Sequence, residues 1–216
     1  MTVTADTLNL YASYAARFPA PDALLLTTSS GHAYSYGDAE RMSARVANCL
    51  ADLGLQPGDR VTVQVEKSVQ NLWLFLGVIR AGLIYHPLNT AYTEQEVDFF
   101  LRDARPSLVV CDAAVAQPMQ SLCRQAAVPH LHTLNADGSG SLVEAVGECD
   151  DTYTTAATAT DDIAALVYSS GTTGRPKGIM LSHGNLVSNA STLVDLWGFS
   201  ADDCLLHALP IYHVHG

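Results

Sequence analysis

The chain has 216 residues, 48% hydrophobic and 15% charged, which is enough apolar material for a packed core and too little charge for a disordered chain. Its 11 Lys and Arg stand against 22 Asp and Glu, and the net charge of -11 argues against nucleic acid or an anionic membrane surface as a partner. The five cysteines, at 49, 111, 123, 149 and 204, have no C-x-x-C spacing, no apolar run reaches the ~18–20 residues of a membrane span, and the N-terminus lacks the basic start of a signal peptide. A reduced, cytoplasmic protein is the expectation.

Along the chain, apolar periodicity alternates between helix and strand. Residues 8–18 read as a short helix stopped by Pro19 and Pro21, and 23–27 as a buried strand. Met42, Val46, Leu50 and Leu53 lie on one helical face that ends at Gly54. A strand over 60–65 precedes a helix over 68–81, striped by Val69, Leu72, Trp73, Leu76 and Ile79 and closed by Gly82. A short strand follows at "LIYHP". Thr93 and Glu96 then form the capping box of a helix running to about Ala104. Next come a buried strand over 107–112, a helix over 113–125 and a short strand "HLHTL". This β–α–β rhythm predicts an α/β fold, a parallel or mixed sheet covered by helices.

Residues 150–162, "DDTYTTAATATDD", carry no apolar stripe and are expected to be a solvated connection. They divide a first α/β sub-structure (1–150) from the start of a second (163–216). In the second, strands at 163–168 and 178–182 flank a loop, a helix runs from about Gly184 to Leu196, and "CLLHAL" at 204–209 reads as a strand. No internal repeat is visible.

The loop lies in "YSSGTTGRPKGIML", residues 168–181. The 92 residues after Arg124 (125–216) contain only two Lys or Arg, Arg175 and Lys177, and both are in it. Glycines permit positive φ and close backbone approach, and successive N–H groups in such turns make an anion nest. Ser169, Ser170, Thr172 and Thr173 add hydroxyl donors at several angles, as a polyphosphate requires. A bare Ser/Gly/Thr linker is the rival, but linkers seldom separate runs such as "IAALVY" and "IML" that must pair. A P-loop is excluded, because Gly178 rather than Ser or Thr follows Lys177.

"YSSGTTGRPKG" resembles the phosphate-binding signature of the adenylate-forming superfamily, which includes acyl-CoA synthetases, peptide synthetase adenylation domains and luciferases. "AGLIYHPLNTAYTEQEVDFFLRDARPSLVVCD" and "LPIYHVHG" resemble two further segments of that family. "VEKSVQNLWLFLGVIRAG", "YHPLNTAYT" and "LLHALPIYHVHG" look most like its malonyl-CoA synthetases. The resemblance implies the large N-terminal domain of such an enzyme and an acid–CoA ligase of fatty acid metabolism. The acid, malonate or methylmalonate, would attack ATP to give an acyl-adenylate and pyrophosphate, and CoA would then displace AMP. A ligase of fatty or aromatic acids and a non-catalytic nucleotide-binding module are the alternatives.

By resemblance, Ser169, Ser170, Gly171, Thr172, Thr173, Gly174 and Lys177 hold the β- and γ-phosphates over 169–178, and Lys177 and His213 are the catalytic candidates. A zinc site from His207, His213 and His215 and an ordinary histidine pair are the rivals at His213. His86, Tyr85 and Asn89 read as a strand end fixed by Pro87, Lys67 as a solvated charge, and His183 as a helix start. The chain ends at Gly216 inside a motif, so the expectation is an N-terminal part, inactive alone. The Mg2+ ligand, the ribose and CoA sites and a late lysine would lie beyond it. A cation for the second carboxylate of malonate would also lie there, unless the fold brings an N-terminal arginine across.

Overall fold

The computed structural model describes residues 7–169 and 176–212. Its centre is a six-stranded sheet of β3 (Arg60–Gln64), β4 (Ile84–Pro87), β5 (Leu108–Cys111), β6 (His130–Thr133), β7 (Ile163–Ser169) and β8 (Lys177–Ser182), in the spatial order β6-β5-β3-β4-β7-β8. β1 (Leu24–Thr27) and β2 (Ala33–Ser35) form a separate antiparallel pair. β3 to β7 are parallel to their neighbours, and only β8 runs antiparallel, against β7.

β5 shows why this sheet is covered on both faces. Its four residues are all buried. Leu108 and Val110 join a core with Leu50, Trp73, Leu74 and Ile79, from α2 (Tyr36–Asp52) and α3 (Val69–Arg80). Val109 and Cys111 point the other way, into a cluster with Val97 and Leu101 of α4 (Glu94–Ala104) and Met119 and Cys123 of α5 (Ala116–Gln125). A continuous apolar run in a parallel strand is the sequence form of this arrangement. The α/β expectation holds, with the predicted strands and helices of 60–133 in place.

Local signals set the helix ends. Glu96 N–H reaches the Thr93 hydroxyl at 3.4 Å, and the Glu96 carboxylate accepts from Thr93 N–H at 2.8 Å, completing the capping box of α4. Residues 113–115 form a 3-10 turn before α5. α1 is shorter than expected, Leu10–Ala15, and is capped by the Asn9 side chain. Ser182 caps α7 (His183–Trp197), which ends at Gly198 with φ 68°.

Other elements depart from expectation. The strand at 23–27 is only half-buried, because it pairs with β2 outside the main sheet. α6 (Ser141–Gly147) carried no clear signal; it starts at Gly140, whose φ of 131° and 2.4 Å clearance to the Thr133 carbonyl leave no room for a side chain. Residues 204–209 join no ladder among the described residues, and Leu205 and Leu206 are 73% and 91% exposed.

The Thr-rich segment is not simply solvated. Asn48 Nδ2 donates to the carbonyls of Asp150 and Thr152, at 2.8 and 2.9 Å. Arg80 Nη2 donates to the Tyr153 carbonyl at 2.8 Å, and Ala156 N–H returns a bond to the Arg80 carbonyl at 2.9 Å. Asn9 Nδ2 donates to the Ala156 carbonyl, and the buried Thr158 exchanges two bonds with Leu8. A segment with no apolar stripe is thus strapped down largely through its backbone groups, which polar side chains satisfy, while Tyr153 packs against the core. The sheet continues across this strap, since β4 and β7 pair at Tyr85 and Ala165.

Candidate functional site

Parallel strands deliver their carboxyl ends to one edge of a sheet, where open α/β folds bind ligands. β3 ends there at Gln64 and leads to Lys67, β4 leads to Asn89, and β7 ends at Ser169. Ser169 and Lys177 are direct Cα partners across the β7–β8 hairpin, and both are exposed. A hydroxyl and an ammonium therefore flank the mouth of the predicted loop. Both can donate to an anion without the cost of burying the lysine charge. Ser170, Gly171, Thr172, Thr173, Gly174 and Arg175 lie outside the described residues, as do His213 and His215.

Tyr168, one residue before the mouth, ties the hairpin to α4. Its hydroxyl donates to Asp103 Oδ2 at 2.5 Å. Its ring centroid lies 4.8 Å from that of Phe100, 6.4 Å from that of Phe99 and 5.3 Å from that of His86. Burial, followed by the hydrogen bond and charge of Asp103, pushes the Tyr168 phenol above its usual range, so it remains a donor at neutral pH. His86 is fully buried with Nδ1 2.8 Å from the Thr62 hydroxyl, and its Nε2 has no hydrogen-bond partner among the described residues. Burial pulls the imidazole down to about 4 against the opposing Asp103 charge. It is a neutral ring wedged behind the hairpin, which fits its expected structural role.

Lys67 departs from the expectation. Although exposed, its Nζ donates to the carbonyls of His207 and Leu209, at 3.0 and 3.2 Å. The strand-like pattern of 204–209 is thus held by a side chain 140 residues earlier in the sequence. His183 starts α7, as expected, but it is fully buried and its Nδ1 accepts the Leu10 N–H at 3.0 Å. No sequence signal marked the Asp103 contact or the Lys67 contact, because both join residues far apart in the chain.

Several other cations are held within the fold. Arg41 and Arg102 pair with Asp38 and Asp98 on their own helices, and Arg60 donates to the carbonyls of Ala104 and Arg105. Arg80 is buried among Tyr11, Glu40, Ser43 and Tyr153. A crevice of about 280 Å³ opens past β3 and β5, but Glu66, Glu94 and Asp112 line it and would repel a polyphosphate. Among the described residues no three His, Cys, Asp or Glu side chains gather at metal-holding distance. No helix of the described residues is long and apolar enough to cross a membrane.

The sheet edge and the hydroxyl–lysine mouth define an α/β protein with exposed hydrogen-bond donors at the mouth of a hairpin. Residues 12–216 match the AMP-binding enzyme family, and the chain belongs to it. The fold superposes on ATP-bound MatB from Rhodopseudomonas palustris with a TM-score of 0.92 and 47% identity, covering 96% of this chain and 41% of that one. It is 32% identical to an oxalate–CoA ligase of Arabidopsis thaliana, over 98% of this chain and 42% of that protein. It is also 32% identical to a 4-hydroxybenzoate–CoA/benzoate–CoA ligase of Rhodopseudomonas palustris, over 84% of this chain and 34% of that protein. The chain thus spans less than half the length of these relatives, and its fold is that of the N-terminal part of adenylate-forming enzymes.

Proposed function

We propose that this chain supplies the ATP-gripping part of an AMP-forming acid–CoA ligase whose acid is malonate or a close dicarboxylate. One observation carries the reading: Ser169 and Lys177 face each other, exposed, at the mouth of a hairpin in a fold 47% identical to that of ATP-bound MatB. The β- and γ-phosphates would lie between the Lys177 ammonium, the Ser169 hydroxyl and the loop 170–175. Each charge-assisted hydrogen bond contributes roughly 1.5–3 kcal/mol. These donors hold the triphosphate in line for attack by a carboxylate at the α-phosphorus. Positioning and charge neutralisation supply most of the help such a step needs.

Attack forms a mixed acyl–phosphate anhydride bond at the α-phosphorus and breaks its bond to pyrophosphate. The CoA thiolate then forms a thioester, and AMP leaves. His213 is assigned to the acyl side of this site, Mg2+ is assigned no ligand within these residues, and the division at the Thr-rich strap is proposed for the longer fold. Malonate as the acid rests on the resemblance to malonyl-CoA synthetases and on the MatB neighbour. The aromatic-acid relative supports the second reading, a benzoate-type ligase.

The test uses the full product of the gene with ATP, CoA and a panel of malonate, methylmalonate, oxalate, benzoate and a fatty acid. AMP release is measured for each. Release that is fastest with malonate is the expected result. Release with benzoate or the fatty acid but not malonate would leave the ligase class standing and remove the dicarboxylate. AMP release with none of the acids would remove the ligase reading, and calorimetry with ATP would then report whether a nucleotide-binding module remains.

A further inference from the structure

β7 is poorly held where it matters most for the loop. Its ladder to β4 is a single pair, Tyr85 with Ala165, yet the strand runs on to Ser169. Four further residues at ~3.3 Å each carry the mouth about 13 Å past that pair. On its other side lies β8, whose residues 177–180 are exposed and which pairs with no further strand among the described residues.

Tyr168 ties this end of the hairpin to another element. Its ring is packed between two surfaces. On one side are Phe99, Phe100 and His86. On the other is β8 at Gly178, its ladder partner, where an added Cβ would stand 3.5 Å from Tyr168 Cε1 and Cζ. The hydroxyl end of the ring is then fixed by the 2.5 Å bond to Asp103. The next rung of the ladder is Ser169 with Lys177. No residue intervenes between the tethered tyrosine and the two donors at the mouth.

Asp103 is in an odd place for an acid. It lies in the last turn of α4, where the helix dipole favours cations and disfavours a carboxylate. Its bond to Tyr168, on an element 65 residues away, is what it gains there.

We propose that Asp103 and Tyr168 are positioning residues for nucleotide binding: Asp103, through the Tyr168 hydroxyl, fixes the height of the hairpin stem so that Ser169 and Lys177 meet the polyphosphate. This rests on the phosphate reading above. Neither residue touches the nucleotide.

The test takes the full product of the gene and compares wild type with Tyr168→Phe, Asp103→Ala, Asp103→Asn and the Tyr168→Phe/Asp103→Ala double variant. The readouts are ATP affinity by calorimetry, the KM values for ATP and for the acid, and Tm. Each of Tyr168→Phe and Asp103→Ala should weaken ATP binding about tenfold, in line with one charge-assisted hydrogen bond. The acid KM should stay within about twofold, and the double variant should be no worse than either single, because the two act through one bond. Asn at 103 still accepts from the hydroxyl and should restore most of the affinity.

Variants that bind ATP as wild type does, or that lose Tm with no change in ATP affinity, would reduce the pair to ordinary packing and leave the phosphate reading intact. Additive losses in the double variant would also overturn the shared route. Wild-type protein that binds no ATP would remove the phosphate reading and this inference together.

Discussion

Ser169 and Lys177 are partners in the ladder rung at the mouth of the β7–β8 hairpin, with both side chains exposed. A cation in that position is free to serve a ligand and adds little to the fold. Lys177→Met should therefore change unfolding free energy by no more than about 0.5 kcal/mol, as exposed substitutions usually do. The KM for ATP should rise at least tenfold. Denaturant titration and ATP-dependent AMP release on the same preparation check this. A large loss of stability with unchanged kinetics would make Lys177 a structural residue.

Arg80 is the opposite kind of cation. It is 5% exposed and its guanidinium carbon stands 4.6 Å over the Tyr11 ring. Nη1 donates to the Tyr11 hydroxyl, the Glu40 carbonyl and the Ser43 hydroxyl, and Nη2 donates to the Tyr153 carbonyl. One side chain so joins α1, α2, α3 and the strap. Arg80→Met would leave several acceptors buried without donors and should cost on the order of 3 kcal/mol. Urea unfolding measures it. The strap should loosen first, seen as faster amide exchange at Ala156, whose N–H bonds the Arg80 carbonyl.

Acid should weaken the fold through its buried histidines. Burial lowers His86 from 6.5 to about 4, and it lowers His183 as well, with the Asp162 charge opposing. An unfolded chain binds the proton near pH 6.5 while the folded one refuses it, so the unfolded state holds more protons and stability falls as pH falls. For His86 the loss begins near pH 6.5 and saturates below about 4. Between pH 7 and 5 it amounts to about 2 kcal/mol. Urea midpoints at the two pH values test this, and His86→Gln should flatten the slope. An unchanged slope in that variant would assign the acid sensitivity elsewhere.

α2 and α3 meet at Gly77. A Cβ there would lie 2.4 Å from Val46 Cγ1 and 3.0 Å from the Ser43 carbonyl. Alanine is worth about 1 kcal/mol more than glycine inside a helix. Overpacking a tight contact typically costs 1–3 kcal/mol, and the clash here is with a buried, β-branched neighbour. Gly77→Ala should therefore destabilise on balance, and Val46→Ala in the same chain should recover part of the loss. A Gly77→Ala protein more stable than wild type would show that the two helices can separate freely.

The elements that were legible in the sequence are those whose cause is local. The capping box of α4 needs only Thr93 and Glu96, three residues apart, and it forms as written. β5 is an unbroken apolar run and becomes a strand buried on both faces. The hydroxyls, glycines and lysine of 168–178 point to a family by sequence alone, because that chemistry sits in one continuous stretch. The pairing of Ser169 with Lys177 follows from the short connection between two strands.

What the tertiary structure alone decided are meetings between distant residues. Nothing around Asp103 announces Tyr168, 65 positions on, and nothing around Lys67 announces the carbonyls of 207 and 209. The strap at 150–162 reads as solvated because it carries no apolar stripe, yet Asn9, Asn48 and Arg80 bind its backbone. Periodicity and capping report forces within a few residues of each other along the chain. A hydrogen bond to a carbonyl, or a ring against a glycine, depends on where the whole chain has been carried, and only the assembled sheet and its helices determine that.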